Sequence, residues 1–237
     1  MRLCLLVVPL AACAWNTTSP ESLSELTGTA RVKVSTANDP TGIYGPASFP
    51  FVFKVTIELN GCLQVNDDVT VTLDGDTVPM LTHGGEYENV HSDRCDAVAF
   101  QIVAPRTTAS SQIEISDPTA TWTVAASRLY VNDFVLQPQP GSAETLVWQD
   151  ATKIEHADAL LKDSSGAVLW ASFSYDDKVP TANVTTTGNT IHISAPAPIS
   201  GPCTLAVTAT RTEAADTCTG PQSCEVEARA GAELPLL

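Results

Sequence analysis

The segment 83–96 holds the residue types best suited to chemistry, with two histidines and four carboxylates within fourteen residues. Imidazole nitrogens and carboxylate oxygens in one loop are ligands for divalent transition metals. The candidate ligands are His83, Glu86, His91 and Asp93. Their spacing matches no established metal motif, so the simpler interpretation is a solvated acidic loop between two strands, held in place by Cys95. We therefore predict no cofactor and keep a metal-binding or enzymatic site in this loop as the alternative.

The sequence motifs of common catalytic sites are absent. The chain contains no Gly-x-Ser-x-Gly, His-Glu-x-x-His, P-loop or Gly-x-Gly-x-x-Gly. It also lacks Cys-x-x-Cys, because five residues separate Cys218 from Cys224, and this excludes a thioredoxin-type or zinc-ribbon site. We predict no catalytic residues and expect that the chain is not an enzyme.

Aspartates and tryptophans offer two further kinds of site. Asp67-Asp68 and Asp74-Gly75-Asp76 lack the alternating acids of a calcium-binding loop and are typical of turns. Trp122, Trp148 and Trp170 are candidates for a platform on which sugar rings stack, which would make the chain a carbohydrate-binding module. Because aromatic residues form only 6% of the chain, we expect these three tryptophans to pack in the core or between domains.

Of the seven cysteines, five follow the first thirteen residues. Cys62 and Cys95 flank two predicted strands and are the only pair in the first half, so we predict a disulfide between them. Cys218 and Cys224 bracket a short loop and are predicted to form a second disulfide. Cys203 is then left over, and a different strand order would pair it with Cys218 or Cys224.

The first thirteen residues have the pattern of an export signal, with one positive charge, an apolar stretch of about ten residues and small residues after it. Their end, Leu10-Ala11-Ala12-Cys13, resembles the lipobox of bacterial lipoproteins. In that family the cysteine that matches Cys13 receives a diacylglyceryl group and becomes the mature N-terminus. The resemblance therefore implies a signal peptide over 1–12, a lipid anchor at Cys13 and, with Ala14 next, an outer-membrane destination. The alternative is ordinary secretory cleavage, which would release a free protein.

Composition and charge limit the partners of the chain. Lys and Arg number 12 against 27 acidic residues, and this net charge of −15 argues against binding to nucleic acid or to anionic lipid headgroups. No apolar run approaches 18 residues, so we expect no membrane-spanning helix. Residues 13–27 are rich in serine and threonine and are predicted to be a tether. We expect an extracytoplasmic protein held by its lipid on an outer membrane or bacterial cell surface, with the periplasm or free secretion as the alternative.

The rest of the chain alternates apolar and polar residues with the period of two that is typical of half-buried strands. Phe49–Asn60 is the longest such run, and Asp74-Gly75 between two runs predicts a hairpin. Lys153–Lys162 fits a helix as well as a strand. Many short strands with turns between them predict an all-β fold of two antiparallel β-sandwich domains in tandem, similar in size to immunoglobulin-like domains.

The predicted domain boundary lies where Pro138, Pro140 and Gly141 interrupt the strand pattern. This gives a first domain over 28–134, a linker over 135–144 and a second domain over 145–237. Two small sandwiches on a lipid anchor present loops and edges to partners. We therefore expect a non-catalytic interaction or structural module of the cell envelope whose partner is a protein or an envelope polymer.

Overall fold

The computed structural model is almost entirely β-structure, and the predicted all-β class is confirmed. It describes residues 20–38, 43, 52–59, 63–85, 95–103, 110–127, 136–139, 142–148, 151, 153–196 and 201–236. One short helix, α1, spans Leu23–Leu26. The strands in chain order are β1 (Arg31–Asn38), β2 (Val52–Glu58), β3 (Thr70–Leu73), β4 (Asp76–Val78), β5 (Met80–His83), β6 (Val98–Val103), β7 (Ser110–Ser116), β8 (Thr121–Ser127), β9 (Leu136–Gln139), β10 (Ser142–Trp148), β11 (His156–Asp163), β12 (Val168–Ala171), β13 (Asn183–Thr187), β14 (Thr190–Ser194), β15 (Cys203–Ala214), β16 (Thr217–Thr219) and β17 (Ser223–Leu236).

These strands form three sheets. An eight-stranded sheet has the order β12-β11-β15-β17-β1-β2-β6-β5, a four-stranded sheet has β13-β14-β10-β9, and a five-stranded sheet has β16-β8-β7-β3-β4. β1 and β17 pair in parallel, and the other neighbouring strands in the described residues pair antiparallel. The eight-stranded sheet therefore joins strands from the beginning, the middle and the end of the chain.

Two hydrophobic clusters lie against the inner face of this large sheet. The N-terminal core contains Val34, Phe53 and Trp122 among its buried residues, and the C-terminal core contains Trp148 and Leu161. β17 belongs to both clusters, because its inward side chains begin with Cys224 and Val226 in the first and continue with Ala230 in the second. A single long strand thus contributes to both cores.

The predicted linker over 135–144 contains strand structure in its described part. Residues 136–139 form β9 and pair with β10, which begins at Ser142. β9 is the edge strand of the four-stranded sheet, and an edge strand accommodates a proline because its outer side needs no donor. Pro138 therefore lies at a sheet edge, and strands from before and after this segment pair in the eight-stranded sheet.

Within the predicted tether over 13–27, the described residues 20–27 contact the rest of the fold. The amide of Glu21 donates to the carbonyl of Gln64 at 3.0 Å. In α1, Leu23 and Leu26 are 0% and 2% exposed and belong to the N-terminal core. Burying two leucines is favourable by several kcal/mol at about 1.5–3 kcal/mol each, which outweighs the polar composition of the segment.

Other local predictions hold. The Asp74-Gly75 hairpin is confirmed between β3 and β4, with φ of 52° and 91° at the two turn residues. The ambiguous segment from Lys153 is a strand from His156, because its alternate residues face the C-terminal core. In the part of the chain that the structure describes, no helix is both long enough and apolar enough to cross a bilayer.

Candidate functional site

His83 ends β5 and lines a cavity of about 340 Å³. Asp67 and Asp96 also line this cavity, and His83 Nδ1 lies 3.1 Å from Asp67 Oδ1. The side chains of His83 and Asp67 are 53% and 93% exposed, so water screens the attraction between them. The site is therefore an open cleft with one imidazole and two carboxylates.

The backbone around His83 is fixed by two glycines that follow it. Gly84 and Gly85 have φ of +79° and +77°, which only glycine adopts readily. A Cβ at Gly84 would lie 2.8 Å from Val98 Cγ2, and one at Gly85 would lie 2.7 Å from Gln64 Cγ. The carbonyl of His83 accepts from the amide of Val65 at 3.2 Å. This close approach explains why the sequence has two glycines where β5 ends.

The described residues of this cleft allow ligand binding by one imidazole. A carboxylate on Nδ1 orients an imidazole and leaves Nε2 for an external ligand. Among the described residues, no group of three histidine, cysteine or acidic side chains is placed to hold a metal ion. The other predicted ligands, Glu86, His91 and Asp93, lie outside the described residues.

A second polar cluster, formed by His156, Asp158 and Ser172, was not found from the sequence. His156 Nε2 lies 2.8 Å from Asp158 Oδ2, and the Ser172 hydroxyl donates to Asp158 Oδ1 at 2.8 Å. The same hydroxyl accepts from the amide of Ala159 at 2.9 Å. The order of groups is hydroxyl, carboxylate, imidazole, whereas activation of a serine requires the imidazole in the middle. The cluster therefore fastens the turn after β12 to β11.

The three candidate tryptophans are buried, and their predicted place in the protein interior is confirmed. Trp122, Trp148 and Trp170 are 1%, 0% and 3% exposed. Arg211 lies over the Trp148 ring at 5.3 Å from its centroid, with its side chain only 4% exposed and 3.5 Å from Glu213 Oε1. None of these three rings offers an open face on which a sugar could stack.

One of the two predicted disulfides is confirmed. Cys218 and Cys224 are bonded with their Cα atoms 5.6 Å apart. Cys203 is buried and lies opposite Leu236 in the pairing of β15 with β17, at the far end of the ladder from Cys224. Cys95 is also disulfide-bonded. Its predicted partner Cys62 and the predicted lipid site Cys13 lie outside the described residues.

A second cleft of about 320 Å³ lies beside Cys224, where the paired strands β1 and β17 begin. It is lined by two cations and two carboxylates, which are Arg31, Lys33, Glu58 and Glu225. Lys33 Nζ lies 2.7 Å from Glu227 Oε2, and this contact raises the pKa of Lys33. Because the charges of the cleft balance, it selects neither an anion nor a cation.

Comparison of the chain with protein-family models, curated proteins and solved structures finds no match in any of the three. Residue chemistry and geometry therefore remain as the guide to function, above all the disulfide bonding of Cys218, Cys224 and Cys95.

Proposed function

We propose that this chain is a lipid-anchored extracytoplasmic protein that acts as a non-catalytic interaction or structural module of a bacterial cell envelope. The observation that carries the proposal is the oxidised state of its cysteines. Cys218 is bonded to Cys224, and Cys95 is also in a disulfide. Disulfides persist in oxidising compartments, and the lipobox-like leader ending at Cys13 independently directs the chain to one.

We also propose that the fold consists of two immunoglobulin-like β-sandwiches, one around each hydrophobic core. They would hold the loops of the molecule on a rigid scaffold. Sharing the eight-stranded sheet supports a fixed orientation of the two halves. A rigid module of this kind suits binding, because little conformational freedom is lost when a partner docks.

The proposed partners follow from charge and anchoring. The membrane is reached through the lipid on Cys13, since the net charge of −15 does not favour an anionic surface. The same charge disfavours nucleic acid. The remaining partner classes outside the cytoplasm are another protein and a polymer of the envelope. An outer membrane or cell surface is the proposed location.

The anchor is tested by fractionating a bacterial host that expresses Cys13→Ala. We expect the unaltered chain in the membrane fraction and the variant unprocessed or soluble. Cys4→Ala is the matched control, because it removes a cysteine from the leader and leaves the Leu10–Cys13 tetrapeptide intact. Equal membrane partitioning of Cys13→Ala and the unaltered chain would contradict the lipid anchor.

A metal-binding function is the second candidate, and the observation that favours it is the pairing of His83 with Asp67 at the open cleft. A specific metal raises the melting temperature by mass action, so melting curves with zinc and with EDTA separate the two functions. The binding-module proposal predicts no stoichiometric metal. Bound zinc that is lost in His83→Ala but kept in His192→Ala, an exposed histidine on β14, would replace it with a metal site.

A further inference from the structure

The connection between β15 and β17 crosses from the C-terminal half of the chain onto the N-terminal core. We call residues 215–224 the arm. Among the described strands, β16 of the arm has β8 as its one partner, at the edge of the five-stranded sheet. The Thr217 hydroxyl accepts from the amide of Ala125 at 3.2 Å, and the Asp216 carboxylate accepts from the amide of Ser127. The arm is thus attached to a part of the molecule distant from it in sequence.

The arm also holds the segment that leads from the N-terminus into the fold. The amide of Gly28 donates to the carbonyl of Gly220 at 2.8 Å. The amide of Gln222 donates to the carbonyl of Ala30 at 2.7 Å. These two bonds run in opposite directions between the same two segments, so they clamp residues 28–30 against the arm.

Gly220 makes this clamp close-fitting. A Cβ at this position would lie 2.1 Å from Cδ1 of Trp122, so the backbone of the arm lies directly on the indole ring. Trp122 is 1% exposed, and its Nε1 donates to the Thr27 hydroxyl at 3.0 Å. The arm therefore covers both a core tryptophan and the start of the folded chain.

The Cys218–Cys224 disulfide closes the arm on itself. Cys224 begins the buried face of β17 and is 6% exposed, whereas Cys218 lies on the exposed three-residue strand β16. A strand of three residues with one neighbour is weakly held on its own. The disulfide thus links the long strand β17 to the weakly held strand β16, and its Cys218 end lies on the exposed strand.

We propose that Cys218–Cys224 is a redox-operated latch that clamps the N-terminal segment 28–30 to the folded module. In the oxidised form the arm stays on Trp122, and the segment toward Cys13 is held from Pro20 onward. In the reduced form β16 and the clamp bonds release, so residues 28–30 come free of the arm while α1 stays in the N-terminal core. The setting rests on the proposed extracytoplasmic location, but the latch itself does not need the lipid.

The chemistry is thiol–disulfide exchange with an external dithiol. One thiolate of the dithiol attacks Sγ of Cys218, the cysteine on the exposed strand β16, forms a mixed disulfide and displaces the thiolate of Cys224. The second thiolate of the dithiol then attacks the dithiol sulfur that is bonded to Cys218. This closes the dithiol's own disulfide and displaces the thiolate of Cys218. Two electrons pass to the protein, the dithiol becomes a disulfide, and two protons complete the protein thiols.

Hydrogen exchange of the full chain in detergent tests the latch, with dithiothreitol as the dithiol. We expect the amides of Gly28 and Gln222 to exchange roughly tenfold faster or more after reduction, because both bonds belong to the clamp. The amides of Asp163 and Ser172, which bond within the C-terminal half, should keep their rates. Cys218→Ser with Cys224→Ser should reproduce the effect without reductant.

The controls separate a latch from a general staple. Cys95→Ser removes the other disulfide and should leave Gly28 and Gln222 protected. Unchanged exchange at these two amides in the reduced protein, once thiol labelling shows that Cys218 is reduced, would overturn the proposal. Faster exchange throughout the molecule would overturn it too, since the disulfide would then stabilise the whole fold. Neither result depends on whether the lipid anchor exists.

Discussion

At the scale of single residues, the Asp117 carboxylate shows how one side chain can join distant segments. Its Oδ2 accepts from the amide of Leu23 at 2.7 Å, and its Oδ1 accepts from the amides of Thr119 and Ala120 at 2.8 Å each. Partial burial acts to raise the pKa of Asp117, but these hydrogen bonds to the ionised form together lower it. The carboxylate thus caps α1 and forms the turn between β7 and β8.

The lowered pKa of Asp117 predicts a pH-dependent stability. A carboxyl whose folded-state pKa is depressed stabilises the fold above its unfolded pKa, about 3.9, and loses that stabilisation as the pH falls through the folded value. Asp117→Asn should lower the free energy of unfolding by about 1 kcal/mol at pH 7. The difference from the unaltered chain should shrink below about pH 4. Urea unfolding across this range checks it, with exposed Asp177→Asn as control; a constant difference would contradict the assignment.

Gly220 gives the sharpest prediction at this scale. Gly220→Ala forces a methyl group into the Trp122 ring at a φ of +105°, and should lower the free energy of unfolding by about 2–4 kcal/mol. Gly201→Ala is the matched control, because Gly201 has a φ of +79° with no atom within 4 Å of the added Cβ. That control isolates backbone strain and should cost about 1 kcal/mol. Equal losses in urea unfolding would mean that the arm does not contact Trp122.

At the scale of elements, the helix α1 has a local sequence signal that the polar composition of its segment outweighs. The Glu25 carboxylate accepts from the amide and the hydroxyl of Ser22 at 2.9 and 2.8 Å, and these bonds lower the pKa of Glu25. A serine followed three residues later by glutamate is an N-terminal helix signal. The spacing of Leu23 and Leu26 predicts one buried face. The surrounding serines and threonines favour a tether, and burial in the core overrides that preference.

Leu23 tests whether α1 belongs to the fold. Leu23→Ala should lower the free energy of unfolding by about 2–5 kcal/mol, because the side chain is 0% exposed in the N-terminal core. Leu81→Ala makes the same change at a position that is 57% exposed and should cost much less. Thermal melting of both variants is sufficient. Equal melting temperatures would indicate that α1 does not pack in the core and that residues 20–27 act as the predicted tether.

Strands were predictable in this chain to the extent that their signals are local. The alternation around Phe53 and the Asp74-Gly75 turn depend on neighbouring residues, and both are found in the structure. The parallel pairing of β1 with β17 depends on two segments about 190 residues apart, by the register Arg31 with Ser223. No local pattern carries that information, so the sequence alone does not predict that strands from both halves of the chain share one sheet.

The candidate functional residues also divide into those with local sequence signals and those brought together by long-range pairing. Cys218 and Cys224 are close in sequence, and their disulfide was predictable. The cluster of His156, Asp158 and Ser172 was not, since Ser172 reaches Asp158 only through the pairing of β11 with β12. In the His83 cleft, Gly84 and Gly85 follow His83 directly, whereas Asp67 comes from a separate segment. The sequence identifies such residue types but does not show which of them lie close together in the fold.

At the scale of the whole molecule, the shared sheet predicts that both cores unfold together. Trp122 lies in the N-terminal core, whereas Trp148 and Trp170 lie in the C-terminal core. In a chain that carries Trp15→Phe, which removes the fourth tryptophan, Trp122→Phe leaves fluorescence that reports the C-terminal core. In the same background, Trp148→Phe/Trp170→Phe leaves Trp122 to report the N-terminal core. In each variant, urea transitions followed by fluorescence and by circular dichroism should coincide, because β17 contributes to both cores. Separated midpoints within one variant would instead support two independent domains.

The mass of the N-terminal peptide shows directly whether a lipid on Cys13 holds this module on a membrane. The protein is expressed in a bacterial host, purified from the membrane and the soluble fractions and digested, and the N-terminal peptide is measured by mass spectrometry. We expect a peptide from the membrane fraction that begins at Cys13 and carries a diacylglyceryl group. An unmodified peptide that begins at Ala14 or Trp15 would overturn the proposed anchor and identify a freely released protein.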